Sequence, residues 1–425
     1  LWIKGFKTTS KLSNATFLAV QLMLIRWKSA ACTSISFKKL NEWNPEIKRA
    51  SDNIFDLIQQ LKMRPEHRIS LCTVCMNRLA HLKQTLPQNI IDNLEYGNIE
   101  FVVLNYNSTD QMEEWFQQNM GVYVQMGIVK YYRTTEPKSF DHSKSRNMAL
   151  RLAQGDIICN IDADNFTGKG FAQFIADTFA ENENCFIRGD IQLRYDLGGR
   201  ICMWKKDFNL IKGFDESMLG YGYEDDDLVN RLLKTGRKQV TIEDLAFQKV
   251  ISHTNRERLQ NDPLLKEIDS IYINYQTYYR SAFLILLNDS TFVHETVIDN
   301  LTCSSLLPGS AYTSVKSSDQ YSLDTAKGIW QMSNNEALLL FDTNQEWIMQ
   351  RNIKKKQLEY DTQSAIYHMI EESSDILRFA FFYSQLTNLV KCQQRKKNTL
   401  SEINPDGFGK GIVFKNFEYS SPICL

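Results

Sequence analysis

Two acidic groupings hold most of the chemistry in this 425-residue chain. In NIDADN (residues 160–165), Asp162 and Asp164 stand two positions apart at the end of an apolar run. Where a strand ends in a turn, two such carboxylates converge on one hard cation, or on ribose and phosphate oxygens; a polar strand end or an Asx turn uses the same residues. In LGYGYEDDDLVNRLLKTGRK (residues 219–238), four consecutive carboxylates, Glu224 to Asp227, follow Gly220 and Gly222. Like charges repel, so a helix end, a metal or a reaction has to favour them. Leu228, Val229, Leu232 and Leu233 continue at helical spacing up to Gly236. The acids then fall in a first helical turn, where the positive helix end favours carboxylates and accounts for part of the run.

The elements around these groups follow from period and punctuation. RISLCTVC (residues 68–75) and IEFVVLNYN (residues 99–107) are short apolar runs separated by the helix-like RLAHLKQTLPQNIIDNL. Strand, helix, strand is the signature of a parallel sheet. GIVKYYRT continues it as a strand, SKSRNMALRLAQG as a helix ended by Gly155, and DIICNIDADN as a strand running into the acids. The fold class is therefore α/β, and the acids fall at the carboxyl edge of the sheet, where ligands bind in such folds. A helix over residues 166–182 and strands in CFIRGDIQLRY and GRICMWKKDF, joined at Gly198 and Gly199, complete the region.

Two further regions flank it. Residues 1–65 read as a helical N-terminal extension: in SDNIFDLIQQLK, Ser51 caps and Ile54, Leu57, Ile58 and Leu61 recur at helical spacing. IDSIYINYQTYYRSAFLILLND reads as a connecting element, and residues 285–425 as an accessory α+β region. Strands are expected there in TFVHETVIDNLTC, GIWQMS and EALLLFDTNQEWIMQR, and a helix over residues 361–390.

Composition excludes some partners. With 43% hydrophobic residues, 23% charged residues and a net charge of -1, the chain lacks the basic excess of a nucleic-acid binder. Its nine cysteines are scattered and odd in number, which is no disulfide framework. Cys72 and Cys75 form a CxxC inside a buried strand with no second pair to complete a zinc site. Free thiols point to a reducing, cytoplasmic location; a Golgi lumenal one is the alternative, and the sequons at Asn14 and Asn300 decide neither. The apolar run ATFLAVQLMLI (residues 15–25) is shorter than the roughly 20 residues that span a bilayer, which leaves peripheral membrane contact open.

In order along the chain stand RTTEPKSFDHSKSRNMALRLAQGD, the paired aspartates, GRICMWKKDFNLIKGFDESMLGYGYEDDDLVNRLLKTG and SHTNRE. Together they resemble the metal-dependent glycosyltransferases of the GT-A type. The likeness is to the large family 2 and, in GFDESMLGYGYEDDDL, to the C-terminal motif of β-1,4-galactosyltransferases and chondroitin-polymerase-like enzymes. The resemblance covers residues 66–260 or so and implies a Rossmann-like mixed sheet flanked by helices, here a domain over residues 66–284.

What the resemblance implies for single residues is specific. Asn77 and Arg78 would lie near the nucleotide, and Asn105 stands where relatives carry an acidic uracil-binding residue; an amide also pairs a base edge. Arg146 and Asn147 match contacts to the donor diphosphate and sugar, for which a guanidinium fork is well shaped. Asp162 and Asp164, with His253 as third ligand, would hold Mn²⁺ or Mg²⁺, Asp162 also facing the donor. Asp225 would be the catalytic base and Glu224 would hold the acceptor sugar, beside Gly222 and Tyr223, with Trp204 available for stacking.

The implied reaction is inverting transfer of a hexose or N-acetylhexosamine from a UDP-sugar to a sugar hydroxyl of a glycan acceptor. A retaining transferase on the same fold and a degenerate sugar- or nucleotide-binding module are the alternatives. A nucleotidyltransferase would need a Gly-rich phosphate loop after the first strand, and CTVCMNRLAHL has no glycine.

Overall fold

The computed structural model describes residues 66–192, 195–277, 279–300, 320–360, 365–397 and 402–425. The expected helical extension over residues 1–65, with its apolar run, lies outside the described residues.

Four apolar runs form the parallel heart of a sheet: β1 (Ile69–Cys75), β2 (Ile99–Tyr106), β3 (Val129–Thr134) and β4 (Ile157–Asn160). Every residue of β1 and β4 is buried, as expected for strands covered on both faces. Beyond β4 the sheet turns mixed, with β5 (Cys185–Gly189), β6 (Ile201–Trp204) and β7 (Lys238–Ile242). β6 runs antiparallel to both β4 and β5, and β7 runs parallel to β5. With β16 (Ile412–Lys415) and β17 (Glu418–Cys424) from the end of the chain, the order across the sheet is β17-β16-β3-β2-β1-β4-β6-β5-β7.

Of the helices, the longer ones are labelled: α1 (Leu79–Asn93), α2 (Met112–Asn119), α3 (His142–Leu152), α4 (Phe171–Glu181) and α5 (Glu224–Lys234) cover the two faces. α1 buries Leu79, Leu82, Leu86 and Ile90, one stripe at helical spacing, together with Phe171 and Phe179 of α4 and Phe116 of α2. α3 and α5 build the opposite core with Met148, Leu152, Leu228 and Leu232. Asp141 starts α3 by accepting from the Lys144 amide at 2.8 Å.

The chain then leaves the sheet and builds a closed barrel of eight strands, β8 (Ile268–Thr277), β9 (Arg280–Leu287), β10 (Thr291–Asp299), β11 (Tyr321–Met332), β12 (Glu336–Phe341), β13 (Glu346–Asn352), β14 (Gln357–Tyr360) and β15 (Ala365–Met369). Each strand is antiparallel to the next in sequence, and β15 closes on β8 through His368 and Ile273. Along β9, Ala282, Leu284 and Leu286 fill the barrel while Phe283 and Ile285 point outward. That outer face packs on Phe379, Leu386 and Val390 of α6 (Ser373–Lys396), and after α6 the strands β16 (Ile412–Lys415) and β17 (Glu418–Cys424) rejoin the sheet beside β3.

Three expectations change. The boundary at residue 284 falls inside β9, because the segment read as a connection is the antiparallel strand pair β8 and β9. The region after it is a barrel and a helix that end by extending the α/β sheet, since β16 and β17 satisfy the free edge of β3. Of the expected helix over residues 361–390, residues 361–364 lie outside the described residues, Ala365–Met369 is β15, and the helix itself, α6, runs from Ser373 to Lys396. Among the described residues no helix is long and apolar enough to cross a membrane.

Candidate active site

A cleft opens at the carboxyl ends of β1 and β4, between the loop after β4, the start of α5 and the segment carrying His253. The loop after β4 is tied down from below. Asn160 Nδ2 donates to Asp162 Oδ1 at 3.0 Å and to the Gly199 carbonyl at 2.9 Å. Thr85 Oγ1 and Asn89 Nδ2 of α1 donate to the carbonyls of Ala163 and Asn165, at 2.7 and 2.9 Å. Asp164 then accepts from Asn165 Nδ2 at 2.8 Å and meets His253 Nε2 at 2.6 Å.

The four carboxylates of α5 each face a guanidinium. Arg146 Nη1 lies 2.9 Å from both Glu224 Oε1 and Asp225 Oδ1, and its Nη2 lies 3.3 Å from Asp162 Oδ1. Arg188 pairs with Asp226 at 2.7 Å. Asp227, fully buried, sits between Arg231 at 2.7 Å and Arg395 of α6 at 2.6 Å. The helix end adds its favourable field, yet arginines from β5, α3, α5 and α6 are what make the run tolerable in a buried place.

Three carboxylates on one guanidinium leave local negative charge in excess. Burial, with the charges of Glu224 and Asp162, pushes the Asp225 carboxyl up to about 7 against the opposing pull of Arg146. Burial works the same way on Asp162, but Arg146 and the Asn160 amide hold it below the usual carboxylate range. Burial also lowers His142 to about 4, so this cleft histidine is neutral near pH 7. The cleft thus holds one carboxyl poised to exchange a proton near neutrality beside one held ionised, which is the separation acid–base work needs.

Gly199 is what lets these groups meet. A Cβ there would stand 2.9 Å from Arg146 Nη2, 3.1 Å from Asp162 Oδ2 and 3.2 Å from Asp225 Oδ2. Any side chain would enter the space that this nitrogen and the two oxygens face.

Of the residues singled out in the sequence, Arg78, Arg146, Asp162, Asp164, Gly222, Tyr223, Glu224, Asp225 and His253 line the cleft. Four other expected residues do not. Asn77, at φ 56°, donates to Asn261 Oδ1 at 3.0 Å and accepts from the Thr109 amide at 2.7 Å, locking two loops together. Asn105 is buried, its amide nitrogen on Tyr131 Oη at 2.7 Å and its oxygen on the Ser108 amide at 2.8 Å, so neither end remains for a base. Asn147 clasps the Phe214 backbone from both ends, at 2.9 and 2.7 Å, and holds the turn at Gly213. Trp204 pairs with Ile157, the first residue of β4, on the opposite edge of the sheet; its indole donates to the Glu183 carbonyl at 2.8 Å.

Other cleft residues went unread in the sequence. His81 lies one turn after Arg78 on α1 and sets its ring edge-on to His253 at 5.8 Å, with Nδ1 buried and unpartnered among the described residues. The three-residue step from Arg78 was the available signal. Tyr221, which the sequence did offer beside Tyr223 as a face and a hydroxyl for a sugar, is stacked on Phe381 at 5.2 Å and accepts from Arg258 at 2.8 Å, so one face of its ring is already covered. Nothing local in the sequence announces Arg188, Arg258 or His142 as cleft residues. Among the described residues the Arg78 side chain has no hydrogen-bond or ion-pair partner, and the guanidinium of this half-buried residue faces the space beside Asp164.

The donor types fit a hard or borderline divalent cation, since carboxylate and imidazole are adjacent in Asp164 and His253 and Asp162 Oδ2 has no hydrogen bond among the described residues. Their arrangement is not that of a formed cage: among the described residues no three His, Cys, Asp or Glu side chains converge to hold a metal. The expected set of Asp162, Asp164 and His253 is divided between Arg146 and an internal Asp–His bond.

Comparison with known proteins matches the same region. Residues 70–208 match the model of glycosyl transferase family 2, and residues 187–255 match a model described as the N-terminal domain of galactosyltransferase. No curated protein sequence matches the chain. Similar solved structures include S. aureus TarS 1-349, at 16% identity and TM-score 0.37, covering 45% of this chain and 62% of that one. Another is the mannosyltransferase PcManGT from Pyrobaculum calidifontis in complex with GDP-Man and Mn2+, at 14% identity and TM-score 0.35, covering 53% and 67%. A third is the catalytic domain of Drosophila beta1,4galactosyltransferase 7 in complex with xylobiose, at 16% identity and TM-score 0.32, covering 46% and 75%. The chain thus spans less than two thirds of the TarS chain. The two matches overlap over residues 187–208 and together run from β1 to the segment carrying His253, so this part of the chain is similar to glycosyl transferase family 2 over the sheet and to a galactosyltransferase domain over the acidic helix.

Proposed function

We propose that the chain is an inverting, divalent-metal-dependent glycosyltransferase that moves a hexose or N-acetylhexosamine from a UDP-sugar to a sugar hydroxyl of a glycan. The observation that carries this reading is Asp225: a carboxylate at the mouth of α5, raised to about 7, in one cleft with Asp162 and Asp164. Asp225 takes the acceptor hydroxyl's proton as that oxygen bonds to the anomeric carbon and the bond from that carbon to the diphosphate breaks on the opposite face. Arg146 orients Asp225 and Glu224, and Arg78 is placed to pair with phosphate oxygens. Asp164, with His253 and Asp162, would hold Mn²⁺ or Mg²⁺, which when bound neutralises the leaving diphosphate.

Calorimetry against UDP- and GDP-sugars with Mn²⁺, repeated with EDTA, tests the donor and the metal. Turnover of a bound donor with glycan acceptors, and NMR assignment of the product anomer, test the rest. Absence of any donor binding, or retention of configuration in the product, would overturn the corresponding part of the reading.

A further inference from the structure

The loop Leu219–Gly222, which leads into Glu224 and Asp225, is shaped by a residue more than 160 positions away. Gly220 and Gly222 have φ of 73° and 102°, and Tyr223 follows at 65°. The left-handed region is costly for a tyrosine and persists only where the surroundings impose it. Here the surroundings are one face of α6. Ser384 Oγ would be 2.4 Å from a Cβ on Gly220, and the Gln385 side chain would be 3.1 Å from one on Gly222. Asn388 Nδ2 donates to the Leu219 carbonyl at 3.1 Å and to the Gly222 carbonyl at 2.9 Å, spanning the loop with one amide.

The chemistry of that amide separates positioning from packing. Asn388 is fully buried, and its Oδ1 has no hydrogen-bond partner among the described residues. An unsatisfied buried carbonyl is a cost that a space-filling side chain would avoid. What the asparagine gains over an aliphatic residue is the two donated hydrogen bonds, and both fall on the backbone that sets Tyr223 and Glu224. α6 also holds the next turn, through Arg395 on Asp227 at 2.6 Å and on Asp215. The barrel, by packing on Phe379, Leu386 and Val390, fixes α6 in turn.

We propose that Asn388 is a positioning residue for the acceptor side of the cleft, and that the barrel and α6 act as the backstop that keeps the Leu219–Gly222 loop in its catalytic shape. This rests on the transferase reading for its functional part but not for its structural part. The experiment compares the wild-type chain with Asn388→Leu, which keeps the volume and loses the donors, and with Thr387→Ala, whose hydroxyl bonds only to carbonyls of its own helix. Amide hydrogen exchange is measured without substrate, UDP affinity by calorimetry, and kcat and acceptor KM with the donor found above.

In Asn388→Leu, exchange over residues 219–223 should quicken by about tenfold or more, the scale of one to two lost hydrogen bonds. Turnover with acceptor should fall by a similar factor while UDP affinity stays within about twofold, and Thr387→Ala should match wild type in all three. Wild-type exchange over residues 219–223 in Asn388→Leu would overturn the proposal. So would quickening spread evenly over the sheet and barrel, or a loss of UDP affinity as large as the loss of turnover. Exchange needs no turnover, so a failed transferase reading with quickened exchange would leave the structural role standing and remove only the catalytic one.

Discussion

Asp225 Oδ1 lies 2.9 Å from Arg146 Nη1, and the same nitrogen lies 2.9 Å from Glu224 Oε1. One guanidinium therefore serves two neighbouring carboxylates, with Asp162 as a third. Such sharing holds the acids together without fully neutralising them, so burial, helped by the charges of Glu224 and Asp162, outweighs Arg146 and leaves Asp225 raised.

The first expected outcome concerns Asp225→Asn. Removing a general base costs about 10²–10⁴-fold in kcat, with UDP affinity retained. In the wild type, kcat should rise with pH through about 7 as Asp225 ionises. The stability effect has the opposite sense. The folded state holds this proton up to about 7, whereas an unfolded aspartate loses it near ~3.9. Its contribution is complete at low pH and is lost as pH rises through that window. Asp225→Asn should thus match wild type in Tm near pH 4, gain on it as pH rises to about 7, and keep a constant lead above. A constant difference across the whole range would refute the raised carboxyl.

Arg146→Leu is expected to be severely destabilising. It leaves Glu224, itself buried, with Asp225 and Asp162 facing one another uncompensated. Breaking a buried pair from one side costs about 3–5 kcal/mol, read by urea unfolding. Adding Glu224→Leu in the same chain should recover part of that loss, because the charge left unpaired is then gone.

Gly199→Ala should separate geometry from stability. The new methyl would enter the space between Arg146, Asp162 and Asp225, whose nearest atoms are ends of side chains that can shift. Tm should change little, while kcat falls by roughly tenfold or more, since misplacement of about 1 Å at reacting groups is costly. Unchanged kinetics would mean that the three groups need not approach as closely as they do.

What the sequence made legible was whatever one strand or one helix carries by itself. The parallel strands, the acids at the end of β4 and the acidic first turn of α5 follow from local period and charge. The partners of Asn105 and Asn147 were not legible because a side-chain amide looks the same in sequence whether it meets a ligand or another part of the chain, and Tyr131 and Phe214 lie 26 and 67 positions away. The barrel was missed at its start because β8 and β9 are buried on one face by the barrel and on the other by α6, which blurs their alternation. Arg146, Arg188 and Arg395 reach the carboxylates of α5 from separate elements, so no window of sequence contains those pairings, whereas Arg231 pairs with Asp227 from four positions along the same helix.

Trp204→Phe tests one of these reversals directly. The indole is buried against Phe179, with centroids 5.0 Å apart, and donates to the Glu183 carbonyl far from the cleft. The variant should lose about 1 kcal/mol of stability, the net worth of that hydrogen bond, and keep wild-type kcat and acceptor KM. A rise in acceptor KM would return Trp204 to the binding surface.

The last expectation concerns the cation. Asp164 and His253 now satisfy each other at 2.6 Å, so a metal that takes both as ligands must replace that bond. Binding is then opposed by the lost Asp–His contact and favoured by the phosphate oxygens that a nucleotide brings, so Mn²⁺ alone should bind weakly and Mn²⁺ with UDP far more tightly. A ligand present at 100 times its Kd stabilises the fold by about 2.7 kcal/mol, enough to read as a shift in Tm. The shift should appear with Mn²⁺ and UDP together, be small with either alone, and vanish in Asp164→Ala. A full shift with UDP in the presence of EDTA would show that the arginines of the cleft hold the diphosphate without a metal.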